Sequence, residues 1–208
     1  MPRVGLTRAA VTAVALDVVD EGGVAGLDRL TLAAVASRAG VAVPSLYKHV
    51  ASLDDLRRLV ATDCVAELTR VLAQATIGRS GPEAIHSAAD AIRAYAHRHP
   101  GRYAATQVAP DLGSAADAEL AARAEETIAV LTAALRGFDL PDDATVDAIR
   151  MLRSALHGFI TLELGGGFGL PDDLDRSFRL LIDGITTGIA ALAGNGGVQP
   201  VPSPDLLR

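Results

Sequence analysis

In nine stretches of the chain, apolar residues recur every three or four positions, the spacing of one face of a helix, and this pattern predicts an all-α fold. The first predicted helix follows Thr7 and runs to about Glu21. Ala10, Val11, Val14, Ala15, Val18 and Val19 form its apolar face, and Gly22-Gly23 ends it. A short helix capped by Thr31 comes next, apolar at Leu32, Val35, Ala36 and Ala39, and Gly40 can close it in the left-handed conformation. A second short helix runs from near Ala42 to about His49. Pro44 fits in its first turn, where a missing N–H costs no internal hydrogen bond. Ser52 caps a long fourth helix, with Asp54 and Asp55 where the helix dipole favours negative charge. Its apolar side, Leu53, Leu56, Leu59, Val60, Cys64, Leu68, Val71 and Leu72, is long enough to leave a three-helix N-terminal head and enter a second domain.

Beyond the break at Gly78 to Pro82, a helix is predicted over 83–97, with Ile85, Ala88, Ala89, Ile92 and Tyr95 in the core. His99-Pro100-Gly101 reads as a corner, because proline pushes the preceding residue out of helical geometry. Further helices follow over about 102–108, 114–135, 141–164 and 171–194. The expected organisation is a helix-turn-helix head over 1–51, a C-terminal helical bundle over 52–194 and a flexible Gly- and Pro-rich tail over 195–208. Residues 1 to 6 read as a loose arm from which Arg3 could reach DNA. Gly165-Gly166-Gly167 reads as a connector, since it lacks the lysine and following helix of a phosphate cradle.

Two short helices joined at a glycine form the unit that lays its second helix in the DNA major groove, although the same geometry occurs in helical proteins that touch no DNA. Leu46 and Val50 are the apolar anchors that turn Tyr47, Lys48 and His49 outward. These three bring one positive charge and two hydrogen-bonding groups, which suit phosphate oxygens beside a groove. Packing of the Tyr47 ring against the first short helix is an alternative use of the same residue.

The overall charge of −6 sharpens this picture once it is divided. Residues 1 to 60 carry seven Lys or Arg against six Asp or Glu, a net of +1, while the rest carry 12 against 19, a net of −7. The acidity belongs to the bundle, and the head has little non-specific attraction for DNA. The chain contains three Tyr, four Phe and no Trp, so its core is aliphatic and offers no stacking platform for single-stranded nucleic acid. Cys64 is the single cysteine, which excludes a disulfide framework or a cysteine-based zinc site; its helical neighbours point to a small buried hydrophobe. Asp17, Asp63, Arg153 and Asp183 interrupt the longest apolar runs, and no secretory pattern opens the chain, so a soluble cytoplasmic protein without membrane partners is expected.

The bundle is expected to enclose an apolar cavity that takes a small, apolar or weakly polar effector. Its candidate polar contacts are His86, Tyr95, Tyr103, Gln107 and His157, with Met151 as an adaptable apolar member. The final helix carries more apolar surface than one stripe needs, with Phe178, Leu181, Ile182, Ile185 and Ile189 joined by Gly184 and Gly188, where a partner helix can approach. Paired with the preceding helix, it predicts a two-fold symmetric four-helix interface in a homodimer; the alternative is that both helices are interior.

The stretch LTLAAVASRAGVAVPSLYKHVASLDDL, from Leu30 to Leu56, resembles the reading head of the TetR family of transcriptional regulators. The likeness rests on Gly40, the small residues before it and the Leu46-Tyr47-x-His49 set after it. It covers about residues 8 to 60, and the remainder matches in helix number and order. RSALHG, Arg153 to Gly158, also resembles a C-terminal domain type of the family in which tryptophan precedes the His-Gly pair; here Leu156 stands in its place. The resemblance implies a dimer on a palindromic operator in double-stranded DNA, released by a small molecule, with no cofactor. By position it assigns Thr31, Tyr47 and His49 to phosphates, and Val43, Pro44, Ser45 and Lys48 to the face meeting base edges. Leu53 stands where the family often has a phosphate-binding lysine, and Arg57 or Arg58 is the expected substitute. Two other readings remain open: a helical homodimeric scaffold for a protein partner, and an enzyme. The enzyme reading lacks an HExxH or GxSxG motif, and His97 and His99 at a corner would point differently, so neither catalytic nor metal residues are assigned.

Overall fold

The computed structural model describes residues 6–171 and 173–194, so the N-terminal arm through Gly5, Asp172 and the tail from Asn195 lie outside the described residues. Among those described, all regular structure is helical, in ten α-helices: α1 (Arg8–Glu21), α2 (Gly26–Arg29), α3 (Leu32–Ala39), α4 (Val43–Leu46), α5 (Leu53–Thr76), α6 (Gly81–Arg98), α7 (Pro100–Ala105), α8 (Ala118–Leu135), α9 (Asp142–Leu164) and α10 (Leu174–Gly194).

Caps read in the sequence are formed. The hydroxyls of Thr7, Thr31 and Ser52 accept hydrogen bonds from the amides of Ala10, Ala34 and Asp55 at 3.1, 3.1 and 3.0 Å, relieving N–H groups that have no partner inside their helices. Gly40 closes α3 at φ 66°, and its amide donates back to Ala36 and Ser37.

Two differences from the sequence reading matter. The turn after Gly22-Gly23 does not stop at a loop but continues through a 3₁₀ turn, Gly23–Ala25, into the extra helix α2. Pro100 opens α7 instead of standing outside it, because proline suits a first helical turn; α7 therefore starts two residues earlier than expected and ends at Ala105.

The buried side chains form two main cores. One gathers Val11, Ala15 and Val19 of α1, Val35 and Ala36 of α3, and Leu46 around Leu56, Val60 and Cys64 of α5. The other gathers Leu68 and Leu72 of α5 with residues of α6, α8, α9 and α10. Helix α5 is thus shared, its N-terminal half in the first core and its C-terminal half in the second. Helix α7 is shared as well. Its Tyr103 is buried in the second core and its Ala105 in the first.

The union of α1, α2 and α7 is unusually close. A Cβ added to Gly26 would lie 1.9 Å from the Val19 carbonyl oxygen, and one added to Gly101 would lie 2.2 Å from that same atom. Backbone approaches side-chain-free backbone at both points, which only glycine permits. By length and mean hydropathy alone, α10 reaches what a membrane span requires, contrary to the sequence reading. Its Phe178, Ile182, Thr186 and Ile189 are nevertheless buried within the bundle, and Asp183 sits at its middle.

Candidate DNA-reading surface and bundle cavity

Helices α3 and α4 meet through a tight connection in which the Val41 amide donates to the Ala36 carbonyl at 3.0 Å. Leu46 and Val50, 0% and 2% exposed, fix α4 and the turn after it on the core. The opposite side faces outward. Pro44 and Lys48 are exposed, Val43, Ser45 and His49 half-buried, and Tyr47 is 56% exposed. Thr31 is exposed at the start of α3; with its oxygen already capping Ala34, its hydroxyl proton remains available to an acceptor.

Most arginines near this surface are committed to carboxylates. Arg8 pairs with Asp55 at 3.3 Å, Arg38 with Glu21 and Asp17, and Arg58 with Asp117 and Asp55. Arg57 donates to the Asp28 carbonyl at 3.1 Å and lies 3.5 Å from Asp54. Of the two arginines expected to replace the missing lysine at Leu53, Arg58 turns toward the segment before α8 and Arg57 holds α2.

The bundle contains a cavity of about 200 Å³ between α5, α6, α7 with the segment after it, α8 and α9. Its wall is largely aliphatic, with Leu68, Leu72, Ile92, Leu120, Leu131, Leu152 and Leu156 among the lining residues. Polar groups enter from one side: Tyr103, Thr106, Gln107 and Arg153, with Thr127 opposite, its hydroxyl 2.6 Å from that of Thr69. Burial pushes the Tyr103 hydroxyl up to about 12, while the neighbouring Arg153 charge draws it back.

Of the six effector candidates, Tyr103 and Gln107 line this cavity. His157 stands behind Tyr103, its Nδ1 3.3 Å from the hydroxyl. The other three lie away from its wall. Tyr95 is buried in the second core, where its hydroxyl meets Glu67 of α5 at 3.4 Å and burial raises its pKa. His86 faces α10 and lies 3.2 Å from Asp183. Met151 packs at the α9–α10 contact, beside Gly188. Periodicity placed all three on helices that build the bundle but could not tell which face borders an unfilled space. Thr106, Thr127 and Arg153 were missed. Arg153 had a usable signal, being a charge bordering the apolar row Ile149, Leu152 and Leu156.

The final helix also departs from expectation. Phe178, Ile182 and Ile189 are 1%, 1% and 0% exposed inside the same chain, with the Phe178 ring 5.2 Å from Phe159 and under the Arg93 guanidinium at 4.7 Å. Leu181 and Ile185 are half-buried, Gly184 faces open space and Gly188 is half-buried against Met151. The outward row is instead Leu180, Gly184, Thr187 and Ala191 on α10, beside Ser154, Gly158 and Leu162 on α9.

Between cavity and first core lies a polar junction. Arg102 of α7 donates to Asp20 of α1 at 2.8 Å and to Glu67 of α5 at 3.1 Å. His97 and His99 turn to different partners, Glu163 and Asp20. Among the described residues no three His, Cys, Asp or Glu gather as a metal site. Cys64 is fully buried, and burial raises its thiol pKa, keeping it protonated.

Known proteins share this arrangement. Residues 85–185 match the family model described as the tetracyclin repressor-like C-terminal domain. The HTH-type transcriptional regulator Rv0681 of Mycobacterium tuberculosis is 36% identical over 174 residues, 83% of this chain and 78% of that protein. YobS of Bacillus subtilis, another HTH-type regulator, is 29% identical over 189 residues, 90% of this chain and 95% of that one. In fold, the chain is similar to apo ActR from Streptomyces coelicolor, with a TM-score of 0.66 at 21% identity over 94% of this chain and 100% of that one. A TetR variant from Acinetobacter baumannii AYE in complex with minocycline superposes with a TM-score of 0.65 at 19% identity, over 91% and 99% of the two chains. With a helix-turn-helix at its N-terminus and this match along its length, the chain belongs to the TetR family of DNA-binding transcriptional regulators.

Proposed function

We propose that this regulator is a ligand-responsive repressor, a homodimer that holds a palindromic operator and leaves it when a small molecule occupies the bundle cavity. In this reading residues 1–51 are the reading head and 52–194 the effector and dimer domain, and the work is done in the cytoplasm, where the DNA is. Thr31, Tyr47 and His49 bind phosphate oxygens, while Val43, Pro44, Ser45 and Lys48 face base edges. Lys48 is the charged donor of that face, and a bidentate contact to guanine is its strongest option. The dimer is formed by the outward rows of α9 and α10, whose small residues let two helix pairs meet as a four-helix bundle. Two copies are needed because a head of this size covers one half-site.

One observation carries the effector reading: the six residues of α7 serve both halves of the molecule. Tyr103, and Thr106 and Gln107 just beyond, line the cavity, while Gly101 touches the Val19 carbonyl, Arg102 grips Asp20 and Ala105 is buried in the first core. A ligand that displaces Tyr103 therefore moves the support of α1. It changes DNA affinity only if it binds one head position better than another, with coupling free energies typically about 1–3 kcal/mol. Solved relatives favour the reading by analogy, since ActR has been crystallised with (S)-DNPA and a TetR variant with minocycline.

The test is selection of duplexes from random genomic fragments by the purified, ligand-free protein, with stoichiometry measured on the recovered site. A short palindrome binding two chains, with affinity lost on combined Tyr47→Ala and Lys48→Ala substitution, is the expected result. An enriched site whose affinity and salt dependence ignore that double substitution refutes the assigned face, and no enriched duplex refutes the repressor reading.

A further inference from the structure

The wall of the cavity is aliphatic, but its polar side is unbalanced. Arg153 is the one ionised side chain among the residues lining it, and its recorded partner is the neutral Gln107 carbonyl oxygen at 3.3 Å. Gln107 in turn spends its amide on the Thr106 hydroxyl at 2.9 Å, and Thr106 donates to the Tyr103 carbonyl at 2.7 Å. The acceptors on this side are thus already used, whereas most of the five guanidinium N–H groups of Arg153 are not. The half-buried arginines of the bundle differ: Arg93 is matched to Glu163 and Arg102 to Asp20. Arg153 itself is exposed at the rim, with its guanidinium between solvent and the apolar interior.

We propose that the effector is a compact amphipathic carboxylate, its apolar body enclosed by the α5, α8 and α9 side chains and its carboxylate held at the rim by the Arg153 guanidinium. The proposal rests on the effector reading of this cavity and specifies the ligand class, replacing the apolar or weakly polar molecule expected from the wall alone. Guanidinium and carboxylate match as planar two-pronged partners, and this pairing is shorter and stronger than a neutral hydrogen bond. The volume of about 200 Å³ lies between the ~150 Å³ void that accepts a single benzene ring and the ~300 Å³ at which drug-sized sites begin. A medium-length alkyl chain or one substituted ring is of the right size.

The probes are octanoate, octanol and octylammonium, titrated calorimetrically into the intact protein and its Arg153→Gln variant, whose fold is checked by circular dichroism. Octanoate should bind the natural protein more tightly than octylammonium does and lose about tenfold in affinity in the variant; octanol should stay within about twofold between the two proteins. Octanoate affinity unchanged by the substitution, or octylammonium binding as tightly as octanoate, overturns the carboxylate assignment while leaving the cavity as a ligand site. Binding of none of the three overturns both. Octanoate that binds through Arg153 without altering operator affinity upholds the ligand class and refutes its role as an effector.

Discussion

Gly101→Ala is the sharpest test of how α7 supports the head. The added Cβ would sit 2.2 Å from the Val19 carbonyl oxygen and 2.9 Å from both the Val19 carbonyl carbon and the Gly23 oxygen. All three atoms are backbone, so no rotamer change relieves the overlap. Reaching even 3.0 Å requires α7 and α1 to part by about 0.8 Å, in an interior packed densely enough that one methylene is felt. Overpacking of this kind costs about 1–3 kcal/mol. The helix gain of alanine over glycine, up to about 1 kcal/mol, offsets part of it. A net loss of about 2 kcal/mol corresponds to about 4–8 °C in Tm for a chain of this size. Thermal unfolding followed at 222 nm reads this directly. Gly26→Ala places its Cβ against the same carbonyl oxygen, so the double variant should lose less than the two single losses together, because the first substitution has already moved the shared atom. A Gly101→Ala protein melting within 1 °C of the natural one, or strict additivity with Gly26→Ala, refutes the claim that α1, α2 and α7 are pinned at one backbone atom.

Two further outcomes follow from the bundle. Arg93→Met should cost about 3 kcal/mol in urea unfolding at pH 7, because it leaves the Glu163 carboxylate, 9% exposed, without its main partner. The Arg93 hydrogen bond, and then His97, hold the Glu163 carboxyl below its ordinary value. That contribution is complete above the unfolded-state value of about 4.3 and fades as pH falls through the lower folded value, so the gap between natural and variant stability should narrow below pH 4. A gap that stays constant down to pH 3 removes the ion pair from the account. Leu180→Glu, at a side chain 58% exposed in the single chain, should leave the fold intact and shift sedimentation from dimer to monomer; an unaltered dimer places the interface elsewhere.

The parts of the molecule that were legible in the sequence are those set by local chemistry. Thr7, Thr31 and Ser52 cap helices because a hydroxyl oxygen reaches an amide three residues on, and Gly40 ends α3 because φ 66° suits a residue without Cβ. The head needed no more than this, together with Leu46 and Val50 as anchors. Illegible were features decided between elements. Helix α2 exists because Gly26 can press on Val19, a contact that no window of local sequence encodes. Tyr95 and Tyr103 sit on successive helices and both are buried, yet one faces Glu67 and the other a cavity. Phe178, Ile182 and Ile189 resembled a dimer face because an apolar row reads the same whether it meets a second copy or α6 and α9.

The distribution of charge explains why such a junction is suited to control. Arg8, Arg38, Arg57 and Arg58 all belong to the helix-turn-helix head and the first turns of α5, and each is engaged inside the chain. A head built this way has few free cations with which to hold phosphates without regard to geometry. In the proposed mode its affinity comes from short hydrogen bonds and groove contacts made by Tyr47, Lys48 and neighbouring residues, which fail when the two heads of a dimer are set at the wrong spacing. A basic head would tolerate a small displacement of α1 and remain bound. In this one, the same ion pairs that remove charge from the DNA face also tie it to α5 and the segment before α8. On the proposed function, rigid coupling and weak non-specific attraction are two results of one set of contacts, and together they let a displacement of α7 of under an ångström matter at the operator.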